Sequence, residues 1–352
     1  MTTYHNPTPT TDAILEYKVG NKFGLVLIER GRVPFGLAMP GGYHEEGLSG
    51  EENAIKEVFE ETGLYAFTDV EDRPFRSPTN SKRDPRKHNI SNVYIMRGFG
   101  QLKAGDDATG AGHYTLDEVR VLISQGRFAF DHGKMLAQHL DHPGQRTTKQ
   151  KWTLGIIGRF KPLHNGNASA LEAMCEQADE VVIGIGSSST HNIRNPFTSL
   201  ETMEMIDAHL APRFKGIYRF FEIPDYYDDI KWTAAAQSAL VGVDIVVSGN
   251  GLVQKLLSNA GYQQLTPEQL IGASAVSDIS ATKVRVAMAQ GDSWRMMVPE
   301  AVADYLLAHG LMGRFRQEFS QEILNNHAGE PTDRSEAAER SRLYNAKNAA
   351  PQ

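Results

Sequence analysis

The chain is short of the residues that staple or anchor a protein. A single cysteine, Cys175, stands in 352 residues. That excludes an intrachain disulfide and, with no CxxC pair or Cys/His cluster, a structural zinc site. Cys175 sits beside Met174 in a helical pattern, where a free cysteine is core filling. No apolar run approaches the roughly 18 residues that a membrane-spanning helix needs. The polar residues 1–11 lack a signal-peptide pattern, so a cytoplasmic location is expected. Positive charge is in deficit: 36 Lys and Arg against 43 Asp and Glu leave a formal charge of −7. That balance argues against a general binder of nucleic acid or of an anionic membrane.

What is present is a globular composition, 40% hydrophobic and 22% charged, long enough for two domains with full cores. The most informative stretch is Gly158-Arg159-Phe160-Lys161-Pro162-Leu163-His164-Asn165-Gly166-Asn167. It follows an apolar run, 154–157, that predicts a buried parallel strand. It leads into 168–178, where Ala170, Leu171 and Met174 have helical spacing. Gly158 lets backbone approach a ligand, Pro162 stiffens the turn and Gly166 is expected to open the helix. A helix start delivered by a glycine-bearing loop offers free N–H groups and the positive dipole end to phosphate. Arg159, Lys161 and His164 add side-chain donors, and this much positive potential points to a nucleoside triphosphate.

The stretch resembles the GRFxPxHxGH signature of the nucleotidylyltransferase superfamily, specifically the archaeal-type nicotinamide mononucleotide adenylyltransferases. Asn167 stands where that signature ends in His. Beyond it, β-like runs at 154–157, 181–185, 217–223 and 244–247 alternate with helical patterns, which predicts βαβ units and a parallel sheet. Ligands of such sheets bind beyond the carboxyl ends of the strands. Gly158, Gly186-Ser187, Asp225 and Gly249-Asn250 fall there. Ser280, Thr282 and Arg285 have the form of a second capped helix start, which alone is equally an ordinary surface helix. They match the family's SxTxxR motif, which implies that they hold the β and γ phosphates of ATP. Asn195-Pro196-Phe197-Thr198 also matches, and Trp232 matches a family tryptophan near the nicotinamide ring, although a buried core tryptophan would read the same.

The implied chemistry is adenylyl transfer from ATP to nicotinamide mononucleotide, giving NAD and pyrophosphate with Mg²⁺ (or Mn²⁺) as cofactor. Arg159, His164 and Arg285 are the expected catalytic donors. Gly158, Phe160, Lys161, Gly166, Asn167, Gly186, Ser187, Asp225, Trp232, Gly249, Asn250, Ser280 and Thr282 are the expected nucleotide contacts. A second departure is Thr202, after Glu201, where the family has a phosphate-binding arginine. Lys161, where relatives often have Gln, is expected to compensate.

The first half carries a different pattern. Strands around 14–17 and 24–28 are joined by a Gly20-Asn21 turn. After Pro40-Gly41-Gly42 comes a helix with the Ser49/Glu52 spacing of a capping box and a Gly63 stop. Glu57, Glu60 and Glu61 share one face of that helix, which alone is compatible with a solvated acidic face or with a divalent-metal site. Residues 42–64 resemble the Nudix box, with Lys56 for its arginine and Leu48 for its first glutamate. The resemblance implies that Glu57, Glu60 and Glu61 bind the metal, with Glu57 and Glu60 catalytic. Together with Phe128-Ala129-Phe130-Asp131-His132, the half is similar to the ADP-ribose pyrophosphatase branch. That implies Arg30, Gly41, Gly42, Arg83 and Arg86 as contacts of ADP-ribose.

The expected architecture is α/β throughout: a Nudix α/β/α sandwich (1–142), a linker (143–151), a Rossmann-like nucleotidylyltransferase domain with a parallel sheet (152–318) and a polar tail (319–352). The expected partners are ATP, nicotinamide mononucleotide, NAD and ADP-ribose, with no nucleic acid and no membrane; a homo-oligomer is left open. Two other readings remain. Leu48, Asn167 and Thr202 would suit a sensor that binds ADP-ribose or NAD without full turnover, and the second half could adenylylate another phosphorylated acceptor.

Overall fold

The computed structural model describes residues 6–68, 73–103, 108–141, 151–275 and 279–326. It divides into two compact units, Met1–Lys151 and Trp152–Gln352. Apart from Lys151, the expected linker lies outside the described residues.

In the first unit β1 (Thr8–Val19) and β2 (Lys22–Arg30) form the expected hairpin, with Gly20 at φ 59° in its turn. β3 (Gly36–Ala38), β4 (Gly41–Tyr43), β5 (Tyr65–Phe67), β6 (Asn89–Phe99) and β7 (Ala108–Thr115) complete a sheet of order β3-β2-β1-β6-β5, with β4 also on β1 and β7 on β2. β1 and β6 are parallel; the other pairs are antiparallel. Alternation along β1 sends Ile14 to one face and Ala13 and Leu15 to the other. Ile14 packs with residues of α2 (Leu116–Ser124) and α3 (His132–Asp141); Ala13 and Leu15 pack with Ala54 and Val58 of α1 (Gly50–Thr62). The result is an α/β/α sandwich. Both sequence signals of α1 are present: Ser49 and Glu52 form a reciprocal capping box, and Gly63 ends the helix at φ 69°.

The second unit is built on an all-parallel sheet. β8 (Thr153–Gly158), β9 (Glu180–Gly186), β10 (Tyr218–Ile223), β11 (Ile245–Val247) and β12 (Gln263–Leu265) lie in the order β10-β9-β8-β11-β12. The chain winds one way from β8 and then the other, so the crevice of a doubly wound sheet opens at the carboxyl ends of β8 and β11. Connecting helices are α4 (Asn165–Gln177), α5 (Ser199–Phe214), α6 (Asp229–Ala239) and α7 (Gly251–Asn259), with α8 (Pro267–Ile271) after β12. Then come α9 (Ala281–Gln290), α10 (Glu300–Ala308) and α11 (Leu311–Asn326). Strand β12 carries no apolar run and was not legible in the sequence. No helix among the described residues is long and apolar enough to cross a membrane.

Two boundaries differ from expectation. α4 starts at Asn165, capped by His164, rather than at Gly166. Residues 319–326, expected to open the polar tail, continue α11, because Phe315, Phe319 and Ile323 recur one turn apart and are all buried. The rest of the expected tail, 327–352, lies outside the described residues. Phe319 stacks near Phe315, which lies against Phe197 of the Asn-Pro-Phe-Thr stretch. Phe319→Ala is therefore expected to destabilise the second unit by about 3 kcal/mol, the usual cost of truncating a buried phenyl group. Urea unfolding checks this; an unchanged midpoint would place Phe319 outside the core.

Candidate active sites

In the second unit, the strand-to-helix loop after β8 is held in an uncommon shape. Phe160 has φ 53° and is buried, and its ring lies so close to residue 158 that a Cβ there would sit 2.7 Å from it. Any larger residue at 158 would have to displace the Phe160 ring. Lys161 is fully buried, and its ammonium donates to the Ser187 carbonyl at 2.9 Å. Burial lowers its pKa to about 8, although Asp225 pulls the other way. The ammonium expected to assist phosphate is thus engaged at the end of β9. Ser187, at φ 51°, donates its hydroxyl to Asp225 at 3.0 Å, and Thr190 donates to the other Asp225 oxygen at 2.9 Å. Gly186 lies opposite the Gly158 carbonyl, with 3.7 Å of room for a Cβ.

His164 caps α4, its Nδ1 accepting the Asn167 N–H at 3.4 Å. An imidazole that accepts at Nδ1 carries its proton on Nε2 and can donate from there without charge. Burial, and then the charge of Arg285, lowers its pKa to about 4. Gly166 and Asn167 form the first turn of the same helix. Arg285 crosses to the loop from α9: Nη1 donates to the Lys161 carbonyl at 3.1 Å and Nη2 to the Thr282 hydroxyl at 3.2 Å. Ser280 caps α9 through the Lys283 N–H. Gly158, Phe160, Lys161, His164, Asn167, Gly186, Ser187, Asp225, Thr282 and Arg285 are thereby linked in one constellation. Arg159 lies within it in sequence, between Gly158 and Phe160.

Gly249 and Asn250 follow β11, which pairs with β8, and Asn250 caps α7 through the Leu252 and Val253 N–H groups. Trp232 is half-buried and packs on a core cluster with Ile223, Ala236 and Leu240. Thr202, in the place of the family arginine, is buried and donates back to the Thr198 carbonyl. Beside it Glu201 takes a fork from Arg314, at 2.6 and 2.7 Å, and Arg314 also donates to the Pro196 carbonyl. Arg314 had no signal in the sequence; it lies 113 residues from Glu201. Thr190, by contrast, could have been found in the Ser187–Thr190 hydroxyl run after β9.

In the first unit, Gly41 and Gly42 press β4 onto α1. The Gly41 N–H donates to Glu61 at 2.9 Å, and a Cβ at 42 would lie 2.3 Å from a Glu57 oxygen. Burial, with repulsion from Glu57, pushes Glu61 up to about 8; burial, with repulsion from Glu60, raises Glu57. Two carboxylates driven toward neutrality by burial and by neighbouring carboxylates suit a cation. Glu60 stands apart from them, paired with Lys56 at 2.8 Å; Lys56 also bridges to Glu45. Among the described residues no three His, Cys, Asp or Glu side chains are already gathered as a metal cluster. The face shared in sequence is split into a half-buried pair and one exposed, bridged carboxylate.

Arg83 is turned inward. Its side chain is buried between Asp131, at 3.0 Å, and Asp12, at 3.6 Å, while Ser91 also donates to Asp12. Asp12 and Asp131 were not foreseen as part of the site. Arg86 forks onto Asp84, and Arg30 donates to the Pro34 carbonyl at 3.0 Å. Both guanidiniums lie over the Phe130 ring, Arg30 at 4.7 Å and Arg86 at 5.4 Å. The structure therefore joins Arg30 and Arg86 at Phe130, while Arg83 and one edge of Arg86 are taken by the chain's own carboxylates.

A family model described as Cytidylyltransferase-like matches residues 156–287, and one for the NUDIX domain matches residues 8–138. A nicotinamide-nucleotide adenylyltransferase of Thermococcus onnurineus is 38% identical over 157 residues, spanning 43% of this chain and 80% of that protein. One from Methanococcus vannielii is 32% identical over 163 residues, spanning 46% and 92%. Among solved structures, a bifunctional NMN adenylyltransferase/ADP ribose pyrophosphatase from Francisella tularensis, complexed with AMP and a manganese ion, overlays with a TM-score of 0.32 and 20% identity. That overlay covers 40% of this chain and 43% of the other.

The state of His164 can be checked by pH. Its folded pKa of about 4 lies below the ordinary 6.5, so the fold favours the neutral ring. That contribution to stability is complete above about pH 6.5 and is lost as pH falls toward 4. His164→Asn, which keeps a helix-capping acceptor, is expected to flatten the fall of the second unit's melting temperature over this window. A wild-type slope retained in the variant would contradict the assignment.

Proposed function

The chain belongs to the nicotinamide-nucleotide adenylyltransferase family and carries a NUDIX domain ahead of the matching half, and from that premise we propose a two-site enzyme of NAD metabolism. The second unit transfers adenylyl from ATP to nicotinamide mononucleotide. The first hydrolyses ADP-ribose to AMP and ribose 5-phosphate. The observation that carries the assignment of the second unit is the meeting of two phosphate-type helix starts, where Arg285 donates to the carbonyl of Lys161, 124 residues away, beside the His164 cap.

Adenylyl transfer asks little covalent chemistry of the protein. The phosphate of the mononucleotide is already a nucleophile; its oxygen attacks the α-phosphorus of ATP and pyrophosphate leaves. The site's task is to align the two and to neutralise charge. The α4 N-terminus supplies N–H donors, and neutral His164 supplies Nε2–H. Arg285 supplies a guanidinium fixed at both ends of its fork by Lys161 and Thr282. Lys161 supports the reading from behind, by fixing the Ser187–Asp225 side of the site. Asn167 keeps a donor where the family has a second His but brings no charge.

In the first unit Glu57 and Glu61 fit a divalent cation as half-buried oxygen donors, and Glu60 would join them on leaving Lys56. Such a cation supplies a lowered pKa for water and neutralisation of the diphosphate. Arg30 and Arg86 receive the diphosphate, and Arg83 braces Asp12 and Asp131 behind them. The Lys56–Glu60 pair, together with Leu48, favours one second reading: a unit that binds ADP-ribose and cleaves it slowly or not at all.

Two substitutions separate the activities. Arg285→Lys is expected to lower NAD formation by about 100-fold, since a fixed fork is lost, and to leave ADP-ribose cleavage unchanged. Glu57→Gln is expected to lower ADP-ribose cleavage by at least about 100-fold, leaving NAD formation unchanged. Chromatography of products with Mg²⁺ present reads both. NAD formation that survives Arg285→Lys would remove the assignment of the second unit; wild-type protein that binds ADP-ribose without products would select the second reading of the first.

A further inference from the structure

Phe130 is a side chain that the proposed chemistry does not use, and it is held in a conformation that needs a reason. At φ 55° it lies in the left-handed region, which a bulky residue rarely enters and which surrounding structure must enforce. The enforcement comes from both flanks. On one side the Leu37 N–H donates to the Arg127 carbonyl at 3.0 Å, and the Ala129 N–H donates to the Leu37 carbonyl at 2.9 Å. On the other, Asp131 is paired with Arg83 at 3.0 Å, and buried His132 accepts the Met39 N–H at 3.0 Å. Residue 130 is thus clamped between two anchors. Its ring is left half-exposed, under the Arg30 guanidinium at 4.7 Å and the Arg86 guanidinium at 5.4 Å.

Two like charges on one ring repel; Arg86 is forked onto Asp84, whereas Arg30 has no ion pair among the described residues. Its pKa is lowered, by burial first and by Arg86 second. Cation–π attraction to the ring face opposes part of that repulsion, and an anion arriving between the two guanidiniums would remove the rest. We propose that Phe130 is a positioning residue: its ring gathers Arg30 and Arg86 into a receptor for the diphosphate of the first unit's ligand. The proposal rests on the ADP-ribose reading of that unit. The left-handed backbone is the cost of placing an aromatic face between two arginines that come from β2 and from the loop before β6.

The test compares the full-length wild type with Phe130→Leu, Phe130→Tyr and Arg30→Gln, using ADP-ribose as the probe. Steady-state hydrolysis and calorimetric binding are both read. Leu keeps apolar bulk at the site but has no π face; Tyr keeps the face. Phe130→Leu is expected to raise KM and Kd for ADP-ribose about tenfold, the equivalent of two cation–π contacts, with kcat within about threefold. Phe130→Tyr is expected to restore both, and Arg30→Gln to match Phe130→Leu. NAD formation by the same preparations is expected to be unchanged, and a far-UV circular dichroism spectrum matching wild type shows that each variant is folded. If wild type cleaves or binds ADP-ribose and Phe130→Leu does so equally well, the positioning role is overturned and the ADP-ribose reading stands. If wild type binds without cleaving and Phe130→Leu weakens that binding, the hydrolase reading falls and the positioning role stands. Wild type that neither binds nor cleaves ADP-ribose overturns both.

Discussion

The second unit depends on one requirement, that two helix starts far apart in sequence present their donors to the same place. The hydrogen bond from Arg285 to the Lys161 carbonyl meets it. It joins α9 to the loop after β8, and the same loop, through the Lys161 ammonium, is joined to the end of β9 at Ser187. Ser187 in turn reaches Asp225 at the end of β10. The carboxyl ends of three strands and the start of α9 are thus one hydrogen-bonded assembly, much of it buried. Preorganisation of this kind means that little reorganisation is left to be done when phosphate charge arrives. It also explains why a buried lysine is tolerated: its proton has a fixed acceptor and a carboxylate within electrostatic range.

The first unit solves the opposite electrostatic problem. Glu57 and Glu61 are packed under two glycines whose lack of side chains lets the carboxylates come against β4. Among the described residues neither has a salt bridge, whereas Glu60 has one with Lys56. Facing arginines are disposed in two layers. Arg83 is neutralised by Asp12 and Asp131, and Arg30 and Arg86 are gathered on Phe130. A cation-seeking carboxylate pair and an arginine pair, with Arg86 held by Asp84 and Arg30 without an ion pair among the described residues, match the two charges of a metal diphosphate.

Much of this was legible in the sequence, and the exceptions have physical reasons. The alternation of apolar runs with helical patterns predicted the parallel sheet, since strands buried on both faces must be apolar throughout. The Ser49/Glu52 and Gly63 signals predicted the ends of α1 because cap chemistry is local. β12 was missed because a three-residue strand at a sheet edge needs no apolar run. The inward turn of Arg83 was also hidden: its partners Asp12 and Asp131 are distant in sequence, and only folding shows that their carboxylates claim it. The same holds for Arg314 on Glu201. The expected tail starts inside α11 because the buried stripe of that helix, Phe315, Phe319 and Ile323, is narrow and set in a polar background.

The central claim is that one chain makes a dinucleotide at one site and cleaves a related diphosphate at the other. A phosphorus NMR time course on the wild-type protein with Mg²⁺, ATP and nicotinamide mononucleotide, followed by addition of ADP-ribose, tests it directly. The account predicts NAD and pyrophosphate growing in equal amounts as ATP is consumed, and then phosphomonoester signals of AMP and ribose 5-phosphate as the added diphosphate disappears. ATP that remains intact in the presence of nicotinamide mononucleotide, with the added ADP-ribose also unchanged, would contradict it.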